Sequence, residues 1–359
     1  MLKKIRVFVV DDSIFFRQML INDLKERSNL EVVGFAASAL EARTKIPTIK
    51  PDVITMDVEM PGLSGIDFLK ELLPKYPIPV ILVSSLNLSV FDALAAGAVD
   101  FVQKPNMSKD YNVKSFFNVL NSKIYIASRA KVNVKSQAGR PQGGAVAAPA
   151  GAAAPTAAFS SNLSQMIQNT MLIAIGASTG GTEATLEVLQ RLPADMPGIV
   201  VTQHMPEGFT KMYAERLNRI CKLEVKEAQN GDRVRKGLVL IAPGGALQMR
   251  VEKDLKGFYV SCQPGEKVNG HRPSVDVLFS SVAKKAGKSA VGIIMTGMGR
   301  DGASGLLEMR KAGAFTIGQD KESCVVYGMP MVAYDIGGVC VQASCTNISN
   351  VLLNQLRKM

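Results

Sequence analysis

The sequence predicts an α/β protein: two doubly wound, mainly parallel-sheet domains joined by a flexible linker. Three observations predict it. Short apolar runs alternate with helical patterns through both halves of the 359-residue chain, the rhythm of buried parallel strands covered by helices on both faces. A hydrophobic content of 47% supplies enough apolar surface for two cores. Between about 127 and 165 the composition shifts to "SQAGRPQGGAVAAPAGAAAPTAAFSSN", which has too few large apolar side chains to offset the entropy of ordering. These changes place a first domain at 1–126, a linker at 127–165 and a second domain at 166–359.

The formal net charge is +11, but residues 1–125 hold 15 basic and 14 acidic side chains. The excess therefore lies in the middle and the C-terminal half, where a basic surface suits DNA, a membrane, an acidic protein or plain solvent. Cys221, Cys262, Cys324, Cys340 and Cys345 show no C-x-x-C spacing, so reduced thiols are expected and no metal or disulfide framework. The apolar run in "MLKKIRVFVV" meets "DD" too soon for a signal peptide, and no stretch approaches a membrane span. A cytoplasmic protein that is not membrane-inserted is expected.

In the first domain the strands are "IRVFVV", "EVVGFAA", "DVITMDV", "PVILVSS" and "DFVQKP". Asp11 and Asp12 close the first, and Asp57 closes the third. Carboxyl ends of parallel strands share one edge, so three carboxylates converge there. Three close carboxylates need a compensating cation, and an all-oxygen set favours Mg²⁺ over zinc. A carboxylate beside such an ion can accept a phosphoryl group. Ser84 ends the fourth strand with a hydroxyl, and Lys104 ends the fifth with a cation. The set "DDS", "MDVEMPGLSG", "SS" and "KP" resembles the receiver domain of two-component response regulators, over roughly residues 4–125. The resemblance implies a flavodoxin-like fold and phosphorylation of Asp57 by a histidine kinase. It also implies Mg²⁺ held by Asp12, Asp57 and the Glu59 carbonyl with Asp11 assisting, and Ser84 and Phe101 as moving switch residues.

In the second domain the runs are "MLIAIGA", "GIVVTQH", "LEVKEA", "GLVLIAP", "GFYVSC", "AVGIIMTG" and "AFTIGQD". The stretch from "LVLIAPGG" to "FYVSCQPG" is expected to be an antiparallel excursion. The first run opens into "IGASTGGTEA", which admits three readings. A phosphate-binding P-loop requires a lysine at the seventh position, and Thr182 stands there. Gly176-Ala177-Ser178-Thr179-Gly180 fits G-x-S-x-G, a tight turn exposing a serine hydroxyl. Ser178 also suits a helix N-cap. Partners decide for a nucleophile. His204 and His271 are the only histidines; His204 ends a strand, and Asp301 lies in the loop of "GIIMTGMGRDG". All three residues fall just past strand ends, where open α/β sheets build their sites, and a Ser–His–Asp triad is defined by geometry rather than chain order. Backbone N–H groups after Ser178 and around Met298 are candidate oxyanion donors. His271, in "NGHRPSVDVLF", is expected to shape the cleft or touch substrate, with Arg272 beside it.

The series "IGASTGGTEA", "TQHMPEGFT", "IAPGG", "HRPSVDVLF", "TGMGRDGASGL" and "SCVVYGMP", spanning about 169–357, resembles the catalytic domain of the chemotaxis protein-glutamate methylesterase (CheB) family. The resemblance implies a Rossmann-like domain without a cofactor, with nucleophile Ser178, base His204, third member Asp301, and Thr179 and Met298 bordering the oxyanion site. The implied substrates are glutamate methyl esters and certain glutamines on the cytoplasmic helices of methyl-accepting chemotaxis receptors, not nucleic acid. Arg300 departs from the family pattern, in which Asn is common. Against this stand two other outputs for a receiver: a DNA-binding module, which predicts a short helical C-terminal segment, and a nucleotide-binding domain, which lacks its lysine.

Overall fold

The computed structural model describes residues 3–85, 89–105, 110–132 and 171–359; of the linker expected at 127–165, residues 133–165 lie outside the described residues. The first domain runs β1 (Ile5–Val10), α1 (Ile14–Glu26), β2 (Leu30–Ala36), α2 (Ala39–Ile49), β3 (Val53–Met56), α3 (Gly65–Leu72), β4 (Val80–Ser84), α4 (Ser89–Ala95), β5 (Asp100–Gln103) and α5 (Asp110–Ala127). The strands form one parallel sheet of order β2-β1-β3-β4-β5. Val7, Val9, Ile81 and Val83 pack towards α1 and α5, while Phe8, Ile54 and Leu82 pack on the opposite face. Serine caps start three of the helices: Ser13, Ser38 and Ser64 each accept a backbone N–H three residues on, satisfying a donor the helix leaves open.

The second domain runs β6 (Leu172–Ala177), α6 (Gly181–Leu189), β7 (Gly198–Gln203), α7 (Phe209–Ile220), β8 (Glu224–Glu227), β9 (Leu238–Ile241), β10 (Leu247–Asp254), β11 (Gly257–Pro264), α8 (Val275–Lys285), β12 (Ala290–Ile294), α9 (Ala303–Lys311), β13 (Phe315–Gln319), α10 (Met329–Asp335), β14 (Val341–Ala343) and α11 (Ile348–Leu356). Seven strands form a parallel sheet of order β14-β13-β12-β6-β7-β9-β8. The chain winds outward from β6 through β7 and returns to its other side at β12, so the switch point lies beside β6. Crevices at such points open beyond the strands' carboxyl ends.

Two expectations need correction. "LVLIAP" does not belong to the antiparallel excursion: β9 is wholly buried and pairs in parallel with β7 and β8. The excursion is the hairpin β10–β11, registered from Leu247↔Pro264 to Asp254↔Gly257. β10 escapes sequence reading because "LQMRVEKD" alternates apolar with polar residues instead of forming an apolar run. The edge strand β14 escapes it too, since it has three residues, two of them exposed. A seven-stranded α/β domain occupies the place where a DNA-binding output would have a short helical module.

The domains meet along β5, α4 and α7. Phe101 lies against Phe209 with ring centroids 4.5 Å apart, and Phe91 stacks on Tyr213 at 5.7 Å. The Lys131 N–H, just beyond α5, donates to the Val325 carbonyl at 2.9 Å.

Candidate active site

The acidic edge of the first domain has the expected composition. Asp11, Asp12 and Asp57 bring carboxylate oxygens within 4.8 Å of one another, Asp11 and Asp57 being buried and Asp12 exposed. Lys104 Nζ lies 2.6 Å from Asp57 Oδ2 and 3.0 Å from Asp11 Oδ2. Burial raises the Asp11 pKa above the usual carboxylate range against the pull of Lys104. Burial also works against the Lys104 ammonium, but the hydrogen bond and charge of Asp57 hold its pKa above the ordinary value. The Glu59 N–H donates to Asp57 Oδ1 at 3.1 Å, fixing the turn after β3. Ser84 is buried on the neighbouring strand end, its hydroxyl without a hydrogen-bond partner among the described residues.

In the second domain, Ser178, His204 and Asp301 follow β6, β7 and β12, three adjacent strands. The helix-cap reading of Ser178 fails, because α6 starts from Gly180 at φ +76° with no side-chain cap. Glycine is needed there twice over: φ is positive, and a Cβ would come 2.6 Å from Val325 Cβ. The Ser178 N–H donates to the Thr296 carbonyl at 3.0 Å, and Thr296 Oγ1 donates to the Thr179 carbonyl at 3.0 Å. Gly297, beside Met298, lets the β12 loop approach Ser178, since a Cβ at 297 would fall 2.7 Å from Ser178 Cβ.

His204 Nε2 lies 2.8 Å from Asp301 Oδ2. Asp301 Oδ2 also accepts the Val275 N–H at 2.7 Å, while Oδ1 accepts from Ser274 Oγ at 2.7 Å, Asn269 Nδ2 at 2.9 Å and the Asp276 N–H at 3.3 Å. Ser274, Val275 and Asp276 form the N-terminal turn of α8, so its dipole supports the charge. Burial raises the Asp301 pKa, but His204, Asn269 and Ser274 together outweigh it and hold the carboxyl well below the usual range. An ionised Asp301 takes the Nε2 proton as its hydrogen bond. That leaves His204 Nδ1, buried and without a hydrogen-bond partner among the described residues, as the nitrogen that can receive a proton.

His271 stacks on His204, with ring centroids 3.7 Å apart and planes 6° from parallel. Burial, then the neighbouring His204, lowers its pKa to about 4. Between about pH 6.5, the unperturbed histidine value, and pH 4 the unfolded chain binds the proton at this position and the folded one does not. Stability is therefore retained above pH 6.5 and lost as pH falls towards 4. His271→Phe is expected to flatten urea-unfolding free energy against pH in that window, and an unchanged slope would contradict it. Arg272 spends its guanidinium on main chain, donating from Nε to the Gly245 carbonyl and from Nη1 to the Gly265 carbonyl, both at 2.8 Å. That fastens the loop under His271. Arg300 is exposed beside Asp301.

The first domain also reaches this site. Asp100, at the start of β5, accepts from Thr179 Oγ1 at 2.7 Å through Oδ2, and from Lys123 Nζ at 2.5 Å through Oδ1. Sequence reasoning missed Asp100, Gln203, Asn269, Ser274 and Thr296. Only Ser274 has a local signal, as a serine opening the helical pattern "SVDVLF".

A paired His204 and Asp301 with Ser178 on the adjoining strand end, behind a receiver-like first domain, is an arrangement that suits a hydrolase. The family model for the response regulator receiver domain matches residues 7–112, and that for CheB methylesterase matches residues 173–352. A Syntrophomonas wolfei protein named protein-glutamate methylesterase/protein-glutamine glutaminase 2 is 52% identical over 358 residues, covering 99% of each chain. One from Salmonella typhimurium, bearing the same name without the numeral, is 44% identical, covering 99% of this chain and 98% of its own. The crystal structure of the Thermotoga maritima CheB methylesterase catalytic domain matches with TM-score 0.51 and 34% identity, covering 52% of this chain and 99% of that one. The chain belongs to the CheB methylesterase family.

Proposed function

We propose that the protein hydrolyses glutamate methyl esters, and deamidates specific glutamines, on cytoplasmic helices of methyl-accepting chemotaxis receptors, and that phosphorylation of Asp57 by a histidine kinase switches it on. It works in the cytoplasm; no helix among the described residues is long and apolar enough to cross a membrane. Ser178 Oγ attacks the ester carbonyl carbon and passes its proton to His204 Nδ1, while Asp301 stabilises the imidazolium. Backbone N–H groups near Thr179 and Met298 receive the charge on the carbonyl oxygen. Collapse of the tetrahedral adduct breaks the bond to methoxide, which leaves as methanol with the His204 proton. Water, deprotonated by His204, then splits the acyl-enzyme and returns the serine. With glutamine the leaving group is ammonia and the remaining steps are the same.

In the receiver domain, Asp11, Asp12, Asp57 and the Glu59 carbonyl would hold Mg²⁺. The close all-oxygen donor set suits a hard divalent cation. The ion supplies neutralising charge for phosphoryl oxygens, and Lys104, bonded to Asp57, adds a second cation on the protein side.

The observation that carries the regulated reading is the bond from Thr179, next to the nucleophile, to Asp100 of the receiver. With Phe101 seated on Phe209, it closes the receiver over the hydrolytic loop. Phosphate at Asp57 adds about −1.5 to −2 charges, draws on the unpartnered Ser84 hydroxyl, and gives the neighbouring Phe101 reason to leave Phe209. A hydrogen bond to a charged group is worth about 1.5–3 kcal/mol. Asp100→Ala is therefore expected to raise the unphosphorylated rate by roughly 10-fold or more, read as methanol released from methylated receptor membranes. Wild-type enzyme should accelerate with acetyl phosphate and Asp57→Asn should not. Equal wild-type rates with and without the phosphodonor would refute the switch.

A further inference from the structure

We infer that Gln203 is a positioning residue for hydrolysis: its carboxamide ties the backbone of the nucleophile to that of the base. Gln203 is the last residue of β7, one before His204, and is 3% exposed. Its Nε2 donates to the Ser178 carbonyl at 2.8 Å and to the His204 carbonyl at 3.4 Å. One amide group thus spans the turns that carry the two reacting side chains. The Ser178 carbonyl also accepts the Gly181 N–H at 2.7 Å, and the Ser178 N–H is held by Thr296 of the β12 loop. The nucleophile's peptide groups are therefore fixed from both flanking strands, and Gln203 is the β7 half of that support.

The other end of the amide shows what the group is for. Gln203 Oε1 is buried and has no hydrogen-bond partner among the described residues. A buried acceptor left unsatisfied costs about as much as, or more than, an ordinary neutral hydrogen bond returns. Stability alone would be served as well by an apolar side chain of the same length. The reverse orientation of the amide would set its oxygen against two carbonyls, so the donor must face the loop and the oxygen must be stranded. The second glycine of "STGG" makes room for it: a Cβ at Gly181 would stand 2.3 Å from Gln203 Oε1. The glycine in one motif and the glutamine in "TQH" are two parts of one device, and geometry in the reacting loop is what they secure.

The inference rests on Ser178 and His204 being nucleophile and base. The test uses the full chain with acetyl phosphate, receptor membranes as substrate, and a fluorophosphonate probe for the serine. Failure of the wild type to label at Ser178 would overturn the triad itself, independently of Gln203. Given labelling, Gln203→Met should lower kcat about 10- to 100-fold at unchanged KM, and slow labelling by the same factor. Gln203→Glu keeps the size but sets a carboxylate against two carbonyls, so its loss should be larger near pH 8. Its rate relative to wild type should recover towards pH 5.5 as the carboxyl protonates and regains a donor; a role confined to packing would leave that ratio flat. Wild-type labelling and turnover in Gln203→Met, a change in KM alone, or a flat ratio for Gln203→Glu would each overturn the proposal.

Discussion

Ser178→Ala should reduce receptor demethylation to the level left by binding and oxyanion stabilisation alone, a loss in kcat of about 10⁵- to 10⁶-fold. The substitution deletes one oxygen from a half-exposed turn whose backbone contacts run through Thr296, Gly181 and Gln203. Folding should be untouched, since none of those bonds uses the hydroxyl. Methanol release with acetyl phosphate present, alongside a thermal melt, separates the two. A variant that keeps more than a hundredth of wild-type kcat would remove the serine from the chemistry.

Asp301→Asn is the second large loss, and its cause is the count of donors around the carboxylate. Ser274 Oγ, Asn269 Nδ2 and the Val275 and Asp276 N–H groups all donate to it, and His204 Nε2 does so as the proton-bearing nitrogen. An asparagine NH₂ meets a donor whichever way it turns. Facing His204, it would favour the tautomer with the proton on Nδ1, closing the nitrogen that Ser178 needs. An expected fall of about 10⁴-fold in kcat follows. Each unmatched buried donor costs about 1–3 kcal/mol, so the melting temperature should drop by several degrees as well. Because the carboxyl is held below its usual range, its contribution to stability is present above about pH 4 and lost as pH falls below that. The variant should lack that acid limb. Near-wild-type turnover in Asp301→Asn would show that the base does not depend on this partner.

Both large effects fall on residues that stand out in the sequence, for a simple reason. Parallel strands deliver their following residues to one edge, so chemically distinctive side chains after apolar runs can be grouped without knowing distances. Asp11, Asp12, Asp57 and Lys104 group this way, as do Ser178, His204 and Asp301. The scarcity of histidine narrows the second group further. Strand order is less legible. β9 reads as part of the hairpin because an isolated apolar run does not state its partner, and β10 and β14 lack the run altogether.

The glycines of "IGASTGG" show where reading along the chain stops. The chain alone indicates a tight turn after a buried strand and, from Thr182, the absence of a P-loop lysine. The segment by itself does not distinguish a helix cap from a nucleophile at Ser178, because both want the same turn; only the distant His204 and Asp301 favour the second. Packing removes the cap reading: Gly180 supplies the left-handed start of α6, Gly181 clears a seat for Gln203, and Gly297 brings in the loop from β12. Asn269 and Ser274 around Asp301, and Asp100 on Thr179, are likewise settled only in three dimensions. Spacing along a chain records which residues a strand end presents. A hydrogen bond between residues 79 positions apart, as from Thr179 to Asp100, depends on how two separately built sheets dock, and no local pattern carries that.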